Sequence, residues 1–499
     1  MKRVPLLTGT RVVLATVDDD ALVLAAPAPG EAVADVGAAV RDALRFPLAG
    51  EPLEALVRPG GRATIVVEPP ALPLPGSVHD PRQAAIAATV DELDRVGVAT
   101  ERQTLLVAGG LARRPGQAVI ESLVSPDFAR RFRGRVEVHD AEAPDLVQVG
   151  TVATTPLRVN PTLVDTDVAV VVSAAETVLH GGPATLLAAS GPETQRAAGA
   201  DSLLETGSSS GWDLAVALEG ALSRRVPLIG ASLVLHHPRL SGALRGFPYD
   251  PEAVERIARS PLRPLFGALP GRLRARVLRS LPLELTASAA FAGRPSVAHA
   301  EALLRAIEAR STTLEEPLDA ICIGVPRATP YLPRERPNPV LAAYLGLGLA
   351  LRLWRDAFPL VDGASAILVH HFHRHFSHPT QQPYRPLFHP SLALSDPEQV
   401  KAAERSAAVD EQAVAAYREG RTCHPLLPFA DWDACAPALR RLGAVMIAGC
   451  RDSVAARQLG FVPTHGIGAA LAMARGRSER RPRIGILLSP PYFPLKVAT

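Results

Sequence analysis

The residues best equipped for proton transfer sit in one short stretch, Ala174 to Ser190 (AAETVLHGGPATLLAAS), where Glu176 and His180 stand beside Gly181-Gly182-Pro183. An imidazole with its ordinary pKa of about 6.5 exchanges protons near neutrality. Glycines let a backbone approach a ligand closely, and a proline suits the first turn of a helix, whose free N–H groups favour a phosphate or carboxylate. His180 and Glu176 are therefore the candidate catalytic residues, and Gly181 and Gly182 the candidate ligand contacts. A hydrogen-bonded histidine in a tight strand-to-helix turn is the structural alternative.

A second concentration is His370, His371, His373, His375 and His378, with His389 further on. In an extended segment His371, His373 and His375 share one face, because alternate residues do. Three imidazoles there could hold nickel, zinc or a similar borderline metal; a polar or anion-binding loop is the other reading. His139-Asp140 reads as a loop anchor, His236-His237-Pro238 as a strand end, and His465-Gly466 as a connection before a helix. Arg113-Arg114 could meet an anion or simply be solvated. Leu345-Gly346-Leu347-Gly348 lies inside a helical pattern and is no dinucleotide fingerprint.

Short apolar runs alternate with amphipathic stretches, the mark of βα units around a largely parallel sheet. Strands are expected at Arg62–Glu68, Gln103–Ala108, Val168–Ser173 and Pro227–Leu235, then at Asp319–Val325, Ala366–His370, Ala444–Gly449 and Arg483–Leu488. Ile86, Val90 and Leu93 share a helix face, as do Leu214, Leu218 and Leu222. Further helices are expected at Pro339–Trp354, Pro397–Arg418, Ser453–Leu459 and Gly466–Arg475. Between Pro251 and Ala309, prolines at 261, 264, 270 and 282 interrupt Arg/Ala/Leu-rich segments, predicting short broken helices. The expected architecture is two Rossmann-like α/β domains, 1–248 and 316–499, joined by a mainly helical bridge, 249–315, with a cleft between them. Ligands in such sheets meet the carboxyl ends of the strands.

Composition narrows the classes. The 499 residues include 47% hydrophobic and 21% charged side chains, which suits a folded protein, and the net charge of +3 is too small to argue for nucleic acid. Lysine occurs only at positions 2, 401 and 496, so chemistry needing a buried lysine is almost excluded. The four cysteines show no paired spacing, and no apolar run approaches the ~18 residues of a membrane span. A reducing cytoplasm is expected, with neither nucleic acid nor membrane as partner.

The order of several blocks resembles the nickel-pincer lactate racemases and their 2-hydroxy acid epimerase relatives. These blocks are VVEPPALPLPG at Val66–Gly76, LLVAGGLARRPG at Leu105–Gly116 and the long run from Val136 to Gly182 with His139-Asp140, Asn160 and the glycine pair. The C-terminal QLGFVPTHGIGAALAMA and RIGILLSPPYFPL close the series. The resemblance implies an interdomain site for a nickel-pincer nucleotide that takes a hydride from C2 of a 2-hydroxy acid, with two histidines as bases. It implies cofactor contacts at Glu68, Gly109, Gly110, Gly181 and Gly182. It also exposes departures. The family's first base falls near Ala112, an arginine near Ala71, the tethering lysine near Ala184 or Thr185, and the nickel histidine within Thr206–Trp212, which has none. The second domain's substrate lysine is missing from Pro337–Trp354. Three readings follow: a divergent racemase or epimerase holding its cofactor noncovalently and taking a small acid; a non-catalytic binding or regulatory homologue; and another metal-dependent enzyme built on the histidine cluster.

Overall fold

The computed structural model describes the chain except residues 75–78, 328–336, 375, 377, 390–393, 395, 479–480 and 499, and the side chain of residue 243. Two six-stranded sheets organise it. In the first, the strands run in the order Ala287–Gly293, Leu228–Leu235, Val168–Ala174, Ala63–Val67, Gln103–Val107 and Arg135–Val138. All neighbours are parallel except the outermost pair, in which Ala287–Gly293 returns antiparallel to Leu228–Leu235. The second sheet runs Val462–Thr464, Leu442–Ala448, Leu360–Val369, Leu318–Gly324, Ile484–Leu487 and Leu22–Leu24, parallel throughout.

Central parallel strands covered on both faces must be apolar on both faces. Ala63–Val67 and Val168–Ala174 are buried at every position. The helix Pro81–Arg95 begins where Asp80 accepts the Arg82 N–H at 2.9 Å with proline at the first turn, and it buries Ile86, Val90 and Leu93. Each sheet reverses its winding once. The first does so between Ala63–Val67 and Val168–Ala174, the second between Leu318–Gly324 and Ile484–Leu487. Such reversals open a crevice beyond the strand ends.

Sheet membership cuts across the expected boundaries of 1–248, 249–315 and 316–499. Leu22–Leu24 pairs with Ile484–Leu487, so the first residues contribute to the C-terminal sheet. The hairpin Lys2–Thr8/Arg11–Val17 packs there too, with Val4, Leu6, Ala15 and Val17 in one apolar cluster with Ile367, Met446 and Ile486. The expected bridge opens with three short helices, Pro251–Arg259, Leu262–Ala268 and Gly271–Arg279, but its second half, the strand Ala287–Gly293 and the helix Pro295–Arg310, completes the first sheet. ASAAFAG carries no β-branched residue, so its strand state comes from pairing, not propensity. Pro397–Arg418 divides into Pro397–Ala408 and Glu411–Arg418, because Asp410 caps the second helix by accepting the Ala413 N–H at 3.0 Å. Pro339–Trp354 is α-helical only to Ala343, then widens over Tyr344–Leu349 and tightens over Ala350–Arg352.

Candidate functional site in the interdomain cleft

Both winding reversals open onto one cleft of about 1350 Å³. Glu68, Ala71, the Gly109–Gly116 loop and His180 line it from the first sheet; Pro326, Arg327, Ser489 and Pro490 line it from the second. The helical segment contributes Arg272, Ala275, Leu278 and Arg279 to its edge.

The glycine pair lies where expected, but it serves the protein's own carboxylate. Glu68 follows its strand directly, and its Oε2 accepts the Gly181 N–H at 3.2 Å and the Thr185 hydroxyl at 2.8 Å. The Gly182 N–H goes to Ser173 Oγ at 2.9 Å. The N–H groups expected to face a phosphate or carboxylate ligand are thus taken internally. Glycine is required for another reason: φ is +90° at Gly181 and +53° at Gly182, and a Cβ on Gly182 would lie 2.2 Å from the Cβ of His299. Burial raises the Glu68 carboxyl above its usual range, while the neighbouring His180 and the Thr185 and Gly181 hydrogen bonds oppose that shift.

His180 lines the cleft beside Glu68, and its buried Nδ1 has no hydrogen-bond partner among the described residues. Glu176 faces other work. Its Oε2 accepts the Ala71 N–H at 2.7 Å and the Leu72 N–H at 3.4 Å, and its Oε1 accepts from Arg82 Nη1 at 2.9 Å. Arg82 also grips Asp80. Glu176 therefore clamps the proline-rich loop onto the sheet, with both carboxylate oxygens engaged by the protein itself.

Gly109 and Gly110 also line the cleft. Gly110 has φ +57°, and its carbonyl accepts the Tyr417 hydroxyl at 3.0 Å from the helix Glu411–Arg418. Arg113 donates to the Gly420 carbonyl and Arg114 to the carbonyls of Arg418 and Val138. The arginine pair thus bolts this loop to the opposite lobe. His139 anchors its loop, with Nε2 2.9 Å from the Ser190 carbonyl and Nδ1 3.3 Å from Asn160 Nδ2. His237 is buried and held near a pKa of about 3, by desolvation first and by Arg310 second.

The histidine cluster stands apart: His370, His371 and His373 do not line the cleft. His370 is buried, and burial pushes its pKa down to about 3. His371 Nδ1 donates to the Gly449 carbonyl at 2.6 Å, while His373 is exposed. His375 lies outside the described residues, and among the described residues no three potential ligands converge on one point.

Two groups escaped the sequence reading. His299, fully buried under the glycine pair, donates from Nε2 to the Thr177 carbonyl at 3.0 Å and accepts from the Ser232 hydroxyl at 3.1 Å; burial lowers its pKa to about 4. Asp431 lines the cleft and accepts the Tyr384 hydroxyl at 2.6 Å; burial raises its carboxyl to about 7. An acid inside the apolar run LPFADWD was its only sequence signal.

The paired Rossmann-like lobes, the facing reversals and the Glu68–glycine contact form one arrangement. Residues 9–180 match the lactate racemase N-terminal domain. The whole chain is lactate-racemase-like in fold. It is similar to the lactate racemase apoprotein of Thermoanaerobacterium thermosaccharolyticum at 14% identity, over 97% of this chain and 98% of that one, with a TM-score of 0.61. A crystallised protein from Thermotoga maritima is similar at 12% identity, over 94% of this chain and 100% of that one, with a TM-score of 0.50. No curated protein matches the sequence. Likeness at these identities carries the fold.

Proposed function

We propose that the chain binds a small organic acid in the interdomain cleft, with His180 as the proton-carrying group that meets it. The cleft's charge supports this reading. Arg327 lines it, with Arg272 and Arg279 at its edge, and Arg113 and Arg114 add their charge while bonded to carbonyls of the opposite lobe; among the described residues two carboxyl groups, Glu68 and Asp431, stand against them. Burial drives both carboxyls toward their neutral forms. A low-dielectric cleft lined by one sign of charge concentrates the opposite sign. A 2-hydroxy acid suits it: a carboxylate for the guanidinium groups and a hydroxyl for the imidazole.

The finer reading is a 2-hydroxy acid racemase or epimerase using a noncovalently held nickel-pincer nucleotide. The described residues do not fit that group. Lys2, Lys401 and Lys496 are all exposed and away from the cleft. The resemblance puts the tethering lysine near Ala184 or Thr185, neither of which is a lysine, and Thr185 is committed to Glu68. The glycine N–H groups are internally bonded, and no described trio of donors could hold the metal. We therefore favour acid binding on a lactate-racemase-like scaffold over the intact family reaction.

Calorimetric titration with 2-hydroxy acids and their neutral amides tests this. Acids should bind, amides at least tenfold more weakly, and His180→Ala should weaken acid binding by about tenfold, the loss of one hydrogen bond to the ligand's hydroxyl of ~1.4 kcal/mol. Equal affinity for acid and amide, or no binding of either, would overturn the proposal. Interconversion of 2-hydroxy acid enantiomers by protein made alongside a nickel-nucleotide supply would restore the isomerase reading.

A further inference from the structure

From Arg256 to Leu283 the sequence holds arginines at 256, 259, 263, 272, 274, 276 and 279 and no acidic residue. This segment carries more positive charge than the net +3 of the whole chain. Its two short helices, Leu262–Ala268 and Gly271–Arg279, present large apolar side chains to solvent: Leu262 is 67% exposed, Leu265 65%, Leu273 48% and Val277 40%.

The second helix shows how the two properties are arranged. Arg274 and Ala275 face inward, and Arg274 donates to the Gly267 and Leu269 carbonyls, fixing the turn between the helices. Arg272, Arg276 and Arg279 recur at spacings of four and three, so they share an outward stripe, and Leu273 and Val277 form the stripe beside it. Arg272 and Arg276 make no ion pair among the described residues, and Arg279 bonds only to the Ala275 carbonyl of its own helix. Singly exposed leucines are ordinary. Four large apolar side chains on adjoining helices, beside guanidinium groups of which Arg272 and Arg276 make no ion pair among the described residues, are not; Arg259, on the helix before, is paired with Glu255.

We infer that this helix pair is a docking surface for an anionic lipid bilayer. The charge is complementary to acidic headgroups, and each basic side chain near such a surface strengthens attachment. The leucines account for what charge alone does not, since a basic amphipathic helix lies in the interface with its apolar residues among the acyl chains. A soluble polyanion would have no use for Leu262, Leu265 and Leu273. This is peripheral attachment, distinct from spanning, and it sets aside the expectation of no membrane partner; among the described residues no helix is long and apolar enough to cross a bilayer. The same segment edges the cleft through Ala275 and Leu278, so attachment would bring the cleft's mouth to headgroup level.

The test is co-sedimentation of the full chain with phosphatidylcholine vesicles, with and without one-quarter phosphatidylglycerol, at low and high salt. Binding is expected only with the anionic lipid, reduced by salt. The triple variant Arg272→Gln/Arg276→Gln/Arg279→Gln should lose roughly fivefold in partitioning per arginine. Leu262→Gln/Leu265→Gln/Leu273→Gln should lose at least tenfold, with melting temperatures confirming that both variants fold. Failure of the wild-type chain to bind, or binding unchanged in the arginine variant, overturns the inference. Binding to the vesicles that depends on the arginines but ignores the leucine substitutions overturns the amphipathic docking in favour of attraction by charge alone. A self-associated wild-type chain that the leucine variant renders monomeric, without vesicles, overturns it in favour of a second copy.

Discussion

Replacing Asp431 with asparagine should stabilise the protein, and by an amount that grows with pH. Asp431 is 6% exposed, and its carboxyl rises from 3.8 in the open chain to about 7 in the fold, chiefly through burial, with the Tyr384 hydroxyl pulling the other way. A carboxyl raised in this way favours the folded state fully below its unfolded pKa, and that contribution is lost as pH rises through the folded value. At about 1.4 kcal/mol per pKa unit, ionising the buried group costs about 4 kcal/mol by pH 8, of which somewhat under half is already present at pH 5. Asparagine keeps the shape and an oxygen for Tyr384 but carries no charge. Its advantage over the wild type should therefore increase by roughly 2–3 kcal/mol between pH 5 and pH 8. In a lobe of this size that corresponds to roughly 5–10 °C in melting temperature. Parallel thermal melts of both proteins at pH 5 and pH 8 read the difference directly, and any fixed offset from the substitution cancels. An offset that stays constant across the two pH values, or one that shrinks toward pH 8, would refute a buried, neutral-leaning Asp431.

Buried histidines set the opposite limb of the pH profile. Burial depresses His139 and His299 to about 4 and His237 and His370 to about 3. Their contribution is fully present above about 6.5 and lost as pH falls through the folded values, so denaturant midpoints should drop steeply from pH 6.5 to pH 4. A flat midpoint across that range would mean these rings are already charged in the fold. At the glycine pair, Gly182→Ala puts a methyl 2.2 Å from the His299 Cβ at φ +53°, and should cost about 2 kcal/mol or more in chemical denaturation. A neutral effect there would show that the loop can move away from His299.

The alternation of apolar runs and amphipathic stretches sufficed to read two Rossmann-like units, because strand and helix periodicities are local and a two-sided apolar strand such as Val168–Ala174 leaves little alternative. His180 and the glycine pair were legible because they follow a strand, where open α/β sheets place their ligands, and Glu68 through the resemblance of its block to the lactate racemases. The tertiary structure decided what those residues do. Only the positive φ angles and the close approach of His299 explain the glycines, only the fold turns the Gly181 N–H toward Glu68, and only the return of Ala71, Leu72 and Arg82 converts Glu176 into a clamp. Leu22–Leu24 joined the C-terminal sheet and Ala287–Gly293 the N-terminal one through pairings that no local pattern encodes. A sequence states which groups a chain carries and how often its apolar face recurs; hydrogen-bond partners, burial and charge neighbours arise from residues far apart along the chain, and those decide whether a carboxylate is a ligand, a base or a bolt.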